Sequence, residues 1–228
     1  MGLSARDKAI IADINRFRVM DRDSIAELHF ADKKRPINSA NNVLKRLVTE
    51  GYIRRSTAFG TPFLYLSTET KMKKDSAKLG HYLAILDVYK EMRQYGEIIT
   101  FQVEPKYGAK GTVEPDVFCI FRKYDREVKT PLFIEVQRTI YSQKMMRAKL
   151  ERYKKLYESG LIEKEPWQSF FGKPRFPRVI IISEQRFAID NVYPFRVVQA
   201  QSFRQFVESL KPAQPKPKSS GLIVDLRK

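Results

Sequence analysis

Two carboxylates and an amide, Asp116, Glu135 and Gln137, lie within GTVEPDVFCIFRKYDREVKTPLFIEVQRT at 111–139. Their neighbours from Val113 to Phe121 and from Leu132 to Val136 are largely β-branched or aromatic, and the KYDREVKT between them is polar. That pattern predicts two strands joined in a hairpin. If Arg122 faces Pro131 across the turn, paired residues keep a constant index sum, so Asp116 falls opposite Gln137 with Glu135 on the same face. Apolar neighbours on both faces imply buried central strands, where an unpaired carboxylate is costly. Two readings follow from the residues. In one, Asp116 caps the loop after Pro115 and Glu135 pairs with one of the 43 Lys and Arg residues. In the other, the two acids hold a divalent cation, because hard oxygen ligands on adjacent strands suit Mg²⁺, which also keeps water and phosphate oxygens in its shell.

The chain that must position these groups has 228 residues, enough for one large domain or two modest ones, and 43% hydrophobic residues, too many for a disordered chain. Its formal net charge of +17 and pI near 9.9 point to a polyanionic partner, since phosphates neutralised by such a surface release their counterions. Double-stranded DNA is the expected partner. A merely soluble basic protein and one that binds an acidic membrane surface are the alternatives. No run of about 18 apolar residues predicts a membrane span, and no basic amphipathic helix or lipid anchor supports surface binding. MGLSAR departs from the N-myristoylation pattern at Arg6. The charged opening shows no secretory signal, and the one cysteine, Cys119, permits neither an internal disulfide nor a cysteine-rich zinc site. A reducing cytoplasm is the expected compartment.

From Ser4 to about Val19 the apolar spacing predicts an amphipathic helix with Ser4 as N-cap, and a short second helix starts at Asp21. A third runs from about Asn38 to Glu50, ended by Gly51, with Ile37, Ala40, Leu44, Leu47 and Val48 as its apolar stripe. Its other side offers Ser39, Asn42, Lys45 and Arg46, short polar groups beside cations of the kind that read base edges and hold phosphates. GYIRRSTAFGTPFLYLST then alternates as two strands, with Arg54 and Arg55 on the first. Three helices and a hairpin make a winged helix-turn-helix over residues 1–70, in which the third helix enters the major groove and the hairpin arginines lie against the backbone or minor groove. A winged helix that binds protein instead, with a solvated polar face, is the alternative. Such modules often act as dimers, so a homodimer is one expected arrangement.

Residues 71–77 are polar and carry no apolar period, which predicts a linker before a second domain at 78–210. There Ser76 is expected to cap a helix to about Tyr95 with a broad apolar face that leaves His81 partly buried. A strand follows from Glu97 to Val103, then the hairpin, then a helix opened by Ser142 and running to about Ser159. Two further strands, in 177–184 and 194–200, and a helix capped by Ser202 complete the domain. The Pro- and Lys-rich tail at 211–228 is expected to be extended. The fold class predicted is therefore α+β (α/β), a winged helix followed by an α/β domain with a mixed central sheet.

The order of elements in the second domain, with acids at the junction of the middle strands, resembles the core of PD-(D/E)XK nucleases. That resemblance implies Mg²⁺ (or Mn²⁺) held by Asp116 of EPD at 114–116 and by Glu135, and DNA nicking as the activity. The lysine two residues on is replaced by Gln137, which cannot supply its cationic or basic function, and Lys144 or Lys149 of the next helix would have to reach in. More narrowly, GHYLAILDVY at 80–89, EPDVFCIF at 114–121, FIEVQRT at 133–139 and KLERYKKLY at 149–157 resemble, in order and spacing, the plasmid replication-relaxation family. The family commonly has Asp where Gln137 stands. This resemblance implies a role with plasmid or mobile-element DNA, in replication or in relaxation for mobilisation, beside a relaxase or replication initiator protein. A non-enzymatic transcriptional or replication-initiation regulator is the alternative.

Overall fold

Ser4 opens the first helix as its sequence predicts. Its hydroxyl accepts the Asp7 N–H at 3.1 Å while the Asp7 carboxylate accepts the Ser4 N–H at 2.8 Å, a reciprocal cap that satisfies two otherwise orphaned donors. This helix, α1 (Ala5–Phe17), stops before the expected Val19. Arg18, at φ 68°, turns the chain into a strand missed from the sequence, β1 (Val19–Asp21). Asp21 then caps α2 (Arg22–His29), and α3 (Pro36–Thr49) starts two residues earlier than expected, because Pro36 at the first helical position loses no hydrogen bond. The strands β2 (Ile53–Ser56) and β3 (Leu64–Ser67) pair antiparallel, and β1 joins them in the order β1-β3-β2.

The computed structural model describes residues 2–58, 60–109, 111–138, 142–189 and 192–210, so the expected tail at 211–228 lies outside the described residues. The described part is α+β, with six α-helices, and none of its helices is long and apolar enough to cross a membrane. Between β3 and the next helix the chain has no regular element, and Arg54 and Ser56 fix it. The Arg54 guanidinium donates to the carbonyls of Ser67, Thr70 and Met72 at 2.9–3.2 Å, and the Ser56 hydroxyl donates to that of Lys74 at 2.6 Å.

Helix α4 (Leu79–Tyr95) has Lys78 at its N-cap rather than the expected Ser76. It is followed by β4 (Gly96–Val103), β5 (Val117–Lys123), β6 (Lys129–Val136), α5 (Gln143–Glu158, capped by Ser142), two 3₁₀ turns at Leu161–Lys164 and Pro166–Phe170, β7 (Arg178–Ile182), β8 (Val197–Ala200) and α6 (Phe203–Ser209, capped by Ser202). These five strands form one mixed sheet in the order β4-β5-β6-β7-β8, antiparallel up to β6 and parallel beyond it.

Each face of the sheet is covered. Phe118, Ile120, Phe133, Val179 and Ile181 pack under α5 and the 3₁₀ turns. Val117, Cys119, Leu132, Ile134 and Ile180 face α4 and α6, and the apolar core on that side runs on without a break into α1, α2 and α3. Phe17 of α1 carries it across, with its ring 5.0 Å from Tyr89 of α4 and 5.7 Å from Phe101 of β4. Beside it the Lys90 ammonium meets Glu27 at 2.8 Å. Packing of this kind fixes the strand ends that carry the acids.

Candidate functional site

The hairpin forms, but its register differs from the expected one by two residues. Arg122 pairs with Lys129, Ile120 with Pro131, and the last rung joins Val117 to Ile134. Both strands run further into the polar segment than their apolar residues suggested, because ladder hydrogen bonds need no apolar side chains, and the turn shrinks to 124–128. A slip of two keeps every side chain on its face, and it sets Asp116 across from Glu135 rather than Gln137. Asp116 itself stands just before β5. Pro115 has no N–H to extend the ladder, and the Glu104 N–H closes it by donating to the Asp116 carbonyl at 2.9 Å. Gln137 lies past the end of β6, where its N–H donates to the Ile182 carbonyl at 2.9 Å.

Asp116 and Glu135 are held differently. Val136 donates its N–H to Asp116 Oδ2 at 2.7 Å, and His81 Nε2 of α4 lies 3.5 Å from Oδ1. Burial alone would raise the Asp116 pKa, but His81, Lys149 and the Val136 N–H together hold it below the usual carboxylate range. Glu135, 1% exposed, receives the Tyr153 hydroxyl on Oε1 at 2.5 Å and the Lys149 ammonium on Oε2. Burial, with the negative charge of Asp116 behind it, pushes Glu135 up to about 8 against the pull of Lys149 and Tyr153. Their surroundings thus push the two acids in opposite directions from the ordinary carboxylate value, Asp116 down and Glu135 up.

Tyr153 and Lys149 lie four residues apart on α5, so one helix face delivers both to Glu135. Tyr82 of α4 donates to the Glu104 carboxylate at 2.8 Å, which steadies the backbone beside Asp116. Arg138 rests on Gly80 so closely that a Cβ there would lie 1.9 Å from Nη1; the glycine is what admits the guanidinium. His81, Asp116, Gln137, Arg138 and Lys149 line a pocket of about 290 Å³, open to polar groups from both sides of the sheet end. A wider groove of about 930 Å³ adjoins it along the carboxyl ends of β6, β7 and β8, where Ser183, Gln201 and Ser202 are among its lining.

Both oxygens of each acid thus already face a protein donor, and the Lys149 ammonium stands against Glu135 where a cation would bind. Among the described residues no group of three or more His, Cys, Asp or Glu side chains could hold a metal ion. In this arrangement a positive charge facing the acid pair is supplied from within the chain, by Lys149 on Glu135. Lys149 does reach the acid pair, as the replacement by Gln137 required of a lysine from this helix, whereas Lys144 is exposed.

The residues expected to face DNA divide in two. Asn42, Lys45 and Arg55 are exposed, and Asn38 and Asn41 share the outward face of α3. Ser39 is half-buried at the margin of that face. Arg46 turns instead to α1, where its guanidinium meets the buried Asp7 at 2.7 Å and Glu50 at 3.2 Å. Arg54 is spent on the carbonyls of 67–72. Sequence spacing placed Arg46 with Asn42 because it could not show that α1 packs against that edge of the helix. No protein-family model matches this chain, and neither curated proteins nor solved structures give a match to it.

Proposed function

We propose that the chain is a winged-helix DNA-binding protein of plasmid or mobile-element replication and relaxation, acting beside a relaxase or replication initiator protein. In this reading α1–α3 and the β1-β3-β2 sheet form the winged helix, and the second half is a PD-(D/E)XK nuclease-like fold that serves as a scaffold. The observation that carries the reading is the outward face of α3. Asn38, Asn41, Asn42 and Lys45 are exposed on it, with Lys34 and Arg35 exposed in the turn before it and Arg55 exposed on β2. Amides that bond base edges and cations that hold phosphates are what a major-groove helix needs, and the +17 charge supplies the long-range attraction.

The satisfied carboxylates favour a form of this reading that binds without cutting, as in a replication-initiation or transcriptional regulator. Supercoiled plasmid incubated with the protein and Mg²⁺ or Mn²⁺ tests both parts on one gel. The plasmid is expected to shift, the shift to fade steeply with added salt, and no nicked circle to accumulate. Absence of any shift overturns the DNA reading. Metal-dependent nicking that vanishes in Glu135→Ala overturns the scaffold reading and makes the acid pair a nuclease site.

A further inference from the structure

The end of the five-stranded sheet opposite the acid pair gathers cations that form no ion pair among the described residues. Arg126 lies in the β5–β6 turn, Lys129 opens β6, Arg178 opens β7, and Arg175 and Arg196 stand just before β7 and β8. None of the five has a carboxylate in an ion pair among the described residues. Of the acids on β4 and in the β5–β6 turn, Glu97 is held by Arg122 and Asp125 by Lys123, and Glu127, exposed in the turn, forms no ion pair with any of the five. Arg126 donates to the Leu210 carbonyl past the end of α6. Burial, then the guanidinium groups of Arg196, Arg175 and Arg126, push Arg178 below its ordinary pKa. Like charges gathered this way repel one another and destabilise the folded chain unless a partner arrives.

Aromatic rings are set among these cations. The Lys129 ammonium lies 4.7 Å from the centroid of Phe170, whose side chain is 43% exposed, and the Arg175 guanidinium lies 5.1 Å from that of Phe171. Tyr124, 71% exposed, lies in the same turn as Arg126, with its hydroxyl donating to the Arg93 carbonyl at 3.1 Å. Phosphates answer the cations. The rings answer something further, the faces of unpaired bases, which a duplex does not present and an acidic peptide lacks.

We propose that this end of the sheet binds single-stranded DNA, apart from the α3 face that meets duplex. The inference rests on the reading that the partner is DNA, but its surface and its ligand are separate. Melted or nicked DNA offers both forms side by side, so the two surfaces would grip the junction of duplex and single strand.

Fluorescence anisotropy of the full chain with a labelled oligothymidylate and with a labelled duplex provides the test. In the double variant Arg178→Gln/Arg196→Gln, single-strand affinity is expected to fall at least tenfold and the salt slope of log K to become shallower by about 1.4. Duplex affinity is expected to hold, and Tm without DNA to stay level or rise as the repulsion is relieved. Phe170→Ala is expected to lose roughly tenfold on the single strand alone. The proposal is overturned if the wild type binds duplex but no single strand, if single-strand affinity survives in the double variant, or if both affinities fall together. Loss of duplex binding by the wild type with single-strand binding intact sinks the winged-helix reading and leaves this one standing.

Discussion

At Glu135 the partners that matter come from a helix, not from the neighbouring strand. Lys149 and Tyr153 are delivered by α5, and Asp116 adds its charge from across the strand end. The consequence is a proton held in the folded chain up to about pH 8 that the unfolded chain releases near 4.5. Between those values the folded state binds more protons, so this group's contribution to stability falls as pH rises from about 4.5 to about 8 and is level beyond. Asp116 works in the other sense, contributing stability at neutral pH that is lost as pH falls below its unfolded value of 3.8. Thermal melts across pH 5 to 9 are expected to show the wild-type Tm declining towards pH 8 and a flatter profile for Glu135→Gln. Parallel profiles for the two proteins would mean that Glu135 is ionised throughout. The two acids were legible in the sequence as a converging pair, and so was the need for a counter-charge. The register was not, because it depended on how far polar residues such as Lys123 and Lys129 continue the ladder. Tyr153 and His81 were invisible as partners for a different reason: a helix period says which residues share a face but not which strand end that face will meet.

The third helix divides its charges between the surface and the fold. Lys45 points outward, whereas Arg46, the next residue, bonds Asp7 of α1. Arg54, on the adjoining strand, gives its whole guanidinium to backbone carbonyls that are otherwise without a regular partner. Substitution is therefore expected to separate the two roles. Lys45→Ala should keep its Tm and lose duplex affinity, with the slope of log K against log salt shallower by about 1. Arg54→Ala should lose about 2 kcal/mol of stability, from several charge-assisted hydrogen bonds, and retain its slope. Denaturant melts beside gel shifts in a salt series check both, and a reversal of the two outcomes would move the DNA surface to the β2 side. The apolar stripe Ala40, Leu44 and Leu47 was readable from the spacing of residues alone and appears as the buried face. Which polar residues stayed outside it was not, since the neighbour that claims Arg46 is more than thirty residues away in sequence.

Across the whole molecule, one apolar core joins the first three helices to the sheet, although the polar run at 71–77 reads as a linker between separate domains. The absence of an apolar period at 71–77 goes with a stretch that has no helix or strand, but it carries no information on whether the flanking faces meet. They meet at Phe17, which is fully buried between Tyr89 and Phe101, and a fully buried phenylalanine contributes roughly 1.5–3 kcal/mol relative to an exposed one. Faces that share such a core cannot unfold independently without exposing it, so calorimetry is expected to show one transition for the full chain. Phe17→Ala removes the ring and leaves a cavity at the junction, at a cost of about 3–5 kcal/mol. The expected trace for that variant is a lower melting temperature that splits into two steps, as the α1–α3 half and the sheet half lose their common wall. Two steps already present in the wild type would show that the halves are held only loosely, and the α3 face and the far end of the sheet could then bind DNA without regard to one another. A single step in both proteins would place the coupling beyond Phe17, in Lys90 and its bonds to Glu27 and Ser24, and Lys90→Ala would then be the change that separates them.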